Sequence, residues 1–425
     1  MDVVHQRCAG MDVSKSDAKV CVRVQGRGSR RTSTEITTWP ARASSILELG
    51  QYLVREKVSC VVMEATSDYW KPFFYLLSEA GLSVVLANPR QVRQIPGRKT
   101  DVADAAWLAD LAAHGLVRGS FVPGQAQREI KDLVRHRTQL VRLSGQEIQR
   151  LEKLLESASI KLSSVISDIN GVSGRRMLQA LIEGERDPQV LAGLGCRLKA
   201  STDELAEALT GRFTEHHGFL ARLHLHLIDD YAAQISELDA RIEGYFTDND
   251  PAPEGAMTWG KARALLSTIP GVSDTTAEQI LAEIGIDMSV FDSPGKLASW
   301  AGVAPGLNES AGKRHSSTCR PGNKHLKGAL GMAALSAANS KHTFLAARFR
   351  RLTRRGSQRA VVALSRTLIT ICWHILTTGE PYHELGADYY DKRRPGVAIR
   401  NALNHLRQAG LTITPTPEGL LLTQT

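Results

Sequence analysis

The chain has 425 residues, with 53 Lys and Arg against 44 Asp and Glu, a net charge of +9. At 42% hydrophobic and 23% charged it has the balance of a folded protein, which excludes disorder throughout and fibrous repeats. The length allows two or three domains, and 5% aromatics argues against a large all-β architecture.

The N-terminal part alternates strand and helix patterns. Cys8–Ser14, Ala18–Gln25 and Ser33–Thr37 read as strands, with Gly26-Arg27-Gly28 turning the chain between the second and third. Arg42–Lys57 reads as a helix, Val58–Met63 as a buried strand, Tyr69–Ala80 as a helix ended by Gly81, Leu82–Ala87 as a buried strand and Val102–Ala113 as a helix. This order predicts a mixed α/β layer with a partly parallel sheet over residues 1–125. From 126 to 250 apolar residues recur at helical spacing, as in Leu133, Leu140, Leu151 and Leu155 and again in Leu220, Leu227, Ile235 and Ile242. These predict long amphipathic helices, antiparallel or dimer-forming. Asp248–Gly255 is a linker by composition. A basic helical unit is expected over 258–390, and a short tail over 391–425. The fold class is thus α/β plus all-α.

The six cysteines (Cys8, Cys21, Cys60, Cys196, Cys319 and Cys372) are dispersed and form no C-x-x-C pair, so they read as reduced core residues. No apolar stretch approaches ~18 residues and Met1–Gly10 has no signal-peptide segment, so a soluble, cytoplasmic protein without a membrane partner is expected.

Four carboxylates in the first part stand out. Asp12 ends the first strand, and alternation places it on the face opposite Met11 and Val13. Glu64 ends the buried Val58–Met63 run, where a carboxylate is costly unless paired or metal-bound. Asp101 and Asp104, three apart at a helix start, share a face. Singly each has a plainer role: turn former, surface acid, helix cap. Together they can reach one sheet edge, and oxygen-only clusters suit Mg²⁺ or Mn²⁺, with two such ions driving phosphoryl transfer. Asp68 and Asp110 are spare acids nearby.

From Ala311 to Gly379 there is no Asp or Glu, and thirteen Lys and Arg. Lys313, Arg314, Arg320, Lys324, Lys327, Arg350, Arg351, Arg354 and Arg355 are the candidate nucleic-acid contacts. One-sign charge over such a length calls for a polyanion. Leu265–Gly285, with a Pro-Gly turn between short helices, is similar to helix-hairpin-helix units, although a simple packing corner gives the same pattern. The cluster His216, His217, His224 and His226 reads as an exposed polar face. There is no G-x-x-x-x-G-K-[ST] phosphate loop.

Gly10-Met11-Asp12-Val13-Ser14-Lys15, Met63-Glu64-Ala65-Thr66 and Lys99-Thr100-Asp101-Val102-Ala103-Asp104-Ala105, with Asn88-Pro89-Arg90-Gln91-Val92 before the last, resemble the acidic motifs of the IS110-family transposases. The basic segment resembles that family's C-terminal domain, where a Ser-x-Gly-Lys motif (Ser310-Ala311-Gly312-Lys313) precedes a Gly-Asn-x-x-Leu motif (Gly322–Leu326). The resemblance implies a RuvC-like, RNase H-fold domain whose Asp12, Glu64, Asp101 and Asp104 bind two Mg²⁺ (or Mn²⁺) ions. It also implies Ser310 as nucleophile; Ser316 and Ser317 are rivals by position, and the local sequence supplies Ser310 with no base. It further implies donor and target DNA, a structured bridge RNA, a homo-oligomer (dimer or tetramer) with composite active sites, and a prokaryotic, nucleoid-associated setting. A RuvC-like nuclease using water and a catalytically silent nucleic-acid-binding protein are the alternatives.

Overall fold

The computed structural model describes residues 2–26, 31–65, 67–89, 92, 104–247, 257–306, 308–316, 318–354, 356–416 and 419–424. The Gly26–Gly28 turn, the Arg90-Gln91 segment, Asp101, the 248–255 linker, Ser317 and Arg355 therefore lie wholly or partly outside the described residues. The chain divides into two compact units, Met1–Pro123 and Gly124–Thr425.

The first unit carries β1 (Arg7–Val13), β2 (Asp17–Val24), β3 (Ser33–Pro40), α1 (Ala43–Arg55), β4 (Cys60–Glu64), α2 (Trp70–Glu79), β5 (Val84–Ala87) and α3 (Asp104–Ala113). The sheet order is β3-β2-β1-β4-β5. β1 pairs antiparallel with β2 and parallel with β4, and β4 pairs parallel with β5. Period-two alternation sorts the strands' side chains between two cores. Ala9, Met11, Val20, Val61 and Met63 pack with Ile46, Leu49, Leu53, Phe73 and Leu77 of α1 and α2. Cys8, Cys60 and Val62 on the other face pack with Leu108 and Leu111 of α3. A mixed five-stranded sheet with helices on both faces is the RNase H-like arrangement expected.

The second unit is mainly helical: α4 (Gln125–Ser157), α5 (Leu162–Val165), α6 (Val172–Glu183), α7 (Pro188–Gly193), α8 (Thr202–Leu209), α9 (Glu215–Phe246), α10 (Trp259–Leu266), α11 (Asp274–Ile284) and α12 (Pro294–Trp300). A hairpin of β6 (Asn308–Ser310) and β7 (Lys313–Ser316) follows. Then come α13 (Lys324–Asn339), α14 (Phe344–Thr353), α15 (Ser357–Thr378), α16 (Tyr389–Arg393), α17 (Pro395–Gln408) and a terminal hairpin, β8 (Leu411–Thr416) with β9 (Gly419–Gln424).

The two long helices, α4 and α9, pair antiparallel within one chain. Tyr245 Oη donates to Glu129 at 2.7 Å, Arg137 pairs with Asp239, and Glu147 pairs with His224 at 2.9 Å, so the numbers rise on one helix as they fall on the other. Leu151, Leu155, Ala221, Leu225 and Ile228 join residues of α6 and α8 in the core of this region. His217 completes the α9 capping box with Thr214, so two of the four clustered histidines have structural partners.

One expectation is corrected. Ser357–Thr378 is long and apolar enough, at a mean hydropathy of 1.5, to cross a membrane by length and composition alone. Arg359 and Arg366 interrupt its apolar run in the sequence. The helix packs as a core element, burying Leu364, Leu368, Ile369 and Cys372.

Candidate functional site

Asp12 and Glu64 each stand one residue past the last registered β1–β4 pair, Met11 with Met63. Parallel neighbours in register point to the same face. Cys8 and Gly10 fix that face: the Cys8 thiol donates to Ala109 O at 3.2 Å, and Gly10 lies under the backbone of α3. A Cβ at Gly10 would stand 2.2 Å from Ala105 O and 2.3 Å from Ala109 N. Cys8 thus meets Ala109 while Gly10 reaches back to Ala105, so α3 runs antiparallel to β1. Its first residue, Asp104, lies at the end of β1 that carries Asp12. Three acids from two strand ends and a helix start therefore share one end of the sheet on the α3 face, each half-buried. Lys19 stands opposite Asp12 across the β1–β2 ladder.

Among the described residues no three His, Cys, Asp or Glu side chains converge tightly enough to hold a metal ion. Asp101, the fourth acid, lies outside the described residues. The donor chemistry, carboxylate oxygens at one sheet end, fits a hard divalent cation. The spare acids are engaged elsewhere. Asp110 accepts from Nε of the buried Arg23 at 2.8 Å, and Asp68 pairs with Lys71 at 3.0 Å. Burial pushes the Cys8 thiol up to about 12, so it stays protonated beneath the site.

In the second unit Ser310 closes a tight hairpin, registered opposite Lys313. The two intervening residues, Ala311 and Gly312, have φ of 49° and 75°. Positive φ at both central positions is what the right-handed twist of a two-residue hairpin demands. Ala-Gly is a weak signal for it beside Asn-Gly, so the sequence alone shows only small residues after Ser310. Glu309 is registered opposite Arg314, across a bulge from the Asn308–Ser316 pair.

Glycines zip the base of this hairpin. Cβ atoms at Gly302 and Gly322 would strike each other's backbone, at 2.8 Å and 2.4 Å, and one at Gly306 would lie 2.5 Å from Thr318 O. The segments before β6 and after β7 thus run in backbone contact. Just beyond, Asn323 caps α13, its Oδ1 accepting from His325 N at 3.0 Å and Leu326 N at 3.2 Å. Asn323 Nδ2 donates to the buried Glu283 at 2.6 Å, and Arg135 grips the same carboxylate through two hydrogen bonds of 2.6 and 2.8 Å. The contacts of these glycines, and Glu283 itself, were not legible in the sequence. Their spacing was visible, but their partners lie up to 148 residues apart.

Of the candidate contacts, Lys313, Arg320, Lys324, Lys327, Arg350, Arg351 and Arg354 are exposed. Arg351 lies over the Tyr390 ring at 4.4 Å. At the Pro-Gly turn between α10 and α11, a Cβ on Gly271 would stand 2.4 Å from Ala337 N, so the turn presses its glycine against α13.

Residues 9–160 match the IS110 DEDD transposase model, and residues 263–350 match the model of the transposase IS116/IS110/IS902 family. An uncharacterized 44.8 kDa protein of insertion element IS116 from Streptomyces clavuligerus is 25% identical over 88% of this chain and 96% of its own length. The transposase for insertion sequence element IS1111A from Coxiella burnetii is 25% identical, over 77% of this chain and 80% of the relative. A pilin gene-inverting protein of Moraxella bovis is 32% identical over 123 residues, 28% of this chain and 38% of that protein.

Proposed function

Because the chain belongs to the IS110 family of transposases, an enzyme family acting on DNA, we propose that it cuts and rejoins DNA strands by phosphoryl transfer through a serine ester. The observation that carries this reading is the gathering of Asp12, Glu64 and Asp104 at one end of the sheet. Asp12, Glu64, Asp101 and Asp104 would hold two Mg²⁺ or Mn²⁺ ions, whose bound charge would polarise phosphoryl oxygens and stabilise the leaving oxygen.

The protein's own groups supply the rest. Ser310 Oγ attacks a backbone phosphorus, its proton leaving to solvent. The phosphorus–oxygen bond to the neighbouring deoxyribose breaks, and the departing sugar oxygen takes a proton from solvent to leave a hydroxyl. Attack by a strand-end hydroxyl on the serine ester reverses these changes and restores Ser310. The two-residue turn supports this role, since Ala311 and Gly312 leave little side-chain bulk beside Ser310. Lys313 and Arg314 follow at once and would neutralise the phosphoryl oxygens. A relative that inverts a gene also supports rejoining, because inversion requires cut strands to be resealed. The acids and Ser310 belong to different units, so docking within the chain or between copies of a homo-oligomer must complete the site. The acid-free stretch from Ala311 to Gly379 supports polyanionic partners, which we take to be donor and target DNA and a structured bridge RNA.

The test is replacement of each acid with its amide. Asp12→Asn, Glu64→Gln, Asp101→Asn and Asp104→Asn should each nearly abolish Mg²⁺-dependent cleavage while the protein stays folded. Two variants cutting at the full rate would overturn the site.

A further inference from the structure

The second unit contains a cavity of about 900 Å³ between α13, α14, α15 and the segments flanking the hairpin. Its size falls in the range of small-molecule sites. Four cations line it: Lys327 of α13, Arg348 of α14, and Arg359 and Arg366 of α15. Among the described residues no acidic residue lines it, and none of the four pairs with a carboxylate. Arg348 is oriented by neutral groups, donating from Nε to Thr367 Oγ1 at 2.9 Å and from Nη1 to Tyr390 Oη at 3.1 Å. These contacts fix its guanidinium and leave its charge uncompensated. Arg359 and Arg366, seven apart, lie on one face of α15. The lining also includes apolar Val303, Pro305, Leu352, Val362 and Ile371, beside polar Thr318, Gln358, Thr367 and Thr370.

Four unopposed cations around one concavity repel one another, and an anion relieves that repulsion. The apolar part of the lining adds a second requirement: the ligand carries an apolar face next to its charge. A duplex is too wide to enter and meets only the rim. A single nucleotide out of its stack satisfies both requirements, with a phosphate for the guanidinium groups and a flat base for the apolar wall. We propose that this cavity seats one unpaired nucleotide of a single-stranded nucleic acid, with its phosphate on the arginines and its base against the apolar wall. This rests on the nucleic-acid reading above and deepens it. The cavity selects for an unpaired strand, which strand exchange must expose.

The experiment compares the full-length protein with two variants on short fluorescein-labelled oligonucleotides: single-stranded DNA, single-stranded RNA and duplex DNA at one salt concentration. Ala363→Trp fills the cavity and keeps every charge; the paired change Arg359→Gln with Arg366→Gln removes the anion partners and leaves the volume. Both should weaken single-strand binding about tenfold, the worth of one stacked base, while Ala363→Trp leaves duplex binding within about twofold. The half-buried thiol of Cys319, which lines the same cavity, supplies a readout independent of mutation. Single strands should slow its alkylation by N-ethylmaleimide in the unmodified protein, and duplex should not. The DNA and RNA arms identify which single strand occupies the cavity. Equal losses for duplex and single strands, or Cys319 alkylation unchanged by single strands, would overturn the proposal and leave the broader reading standing. A parent protein that binds no nucleic acid at low salt would overturn both.

Discussion

At the scale of single residues, Gly10 decides whether the acids share one end of the sheet. It has no side chain because α3 crosses β1 there in backbone contact, and that crossing brings Asp104 to the end of β1. Gly10→Ala places a Cβ 2.2 Å from a carbonyl oxygen, so it should cost about 3 kcal/mol or more. Thermal unfolding would measure that loss, and cleavage should fall with it. Alternation placed Asp12 correctly from sequence alone, because a strand's period is local. Glu283 was not legible in the same way: its partners Arg135 and Asn323 are brought to it only by the packing of α4, α11 and α13. Beside that network, burial and then the charge of Arg135 hold His325 below the ordinary imidazole range. The folded state thus binds its proton less readily than the unfolded chain does. This contribution to stability is full above the ordinary value of about 6.5 and is lost as pH falls below it. His325→Gln should flatten the stability-against-pH curve in that window, as denaturant titrations at a series of pH values would register.

At the scale of elements, the β6–β7 hairpin is set by its turn and its base. Ala311 sits at a φ of 49°, which costs a non-glycine residue about 1 kcal/mol, so Ala311→Gly should be neutral or slightly stabilising. Gly322→Ala should do the opposite, since its Cβ would stand 2.4 Å from Gly302 N. It should part the two segments and speed amide hydrogen exchange in 308–316 by tenfold or more, an opening of about 1.4 kcal/mol. The helices and strands of the first unit were readable because hydrophobic period is a property of a dozen residues. The long helices were readable for the same reason, yet their antiparallel pairing depends on contacts such as Glu147 with His224, 77 residues apart. The tight hairpin escaped notice because three- and four-residue strands leave no period to read.

At the scale of the whole molecule, charge is distributed unevenly. The stretch from Ala311 to Gly379 holds thirteen basic residues and no acid, leaving the remainder slightly acidic, with the candidate metal-binding carboxylates in the other unit. On the proposed reading, the division separates cation binding from polyanion binding. Replacing Lys324 and Lys327 together by Gln should lower the log–log salt slope of DNA binding by about 1–2 units, measured by fluorescence anisotropy from low to moderate salt. An unchanged slope would move the interface to the central helices. The central claim is that Ser310 becomes covalently joined to DNA, and the most direct measurement is peptide mapping of the adduct trapped on a denaturing gel after cleavage in Mg²⁺. The account predicts a single phosphodiester-linked peptide at Ser310, with adduct and cleavage both lost in Ser310→Ala while DNA binding persists. An adduct on Ser316, Ser317 or a tyrosine, or efficient cleavage with no adduct, would contradict it.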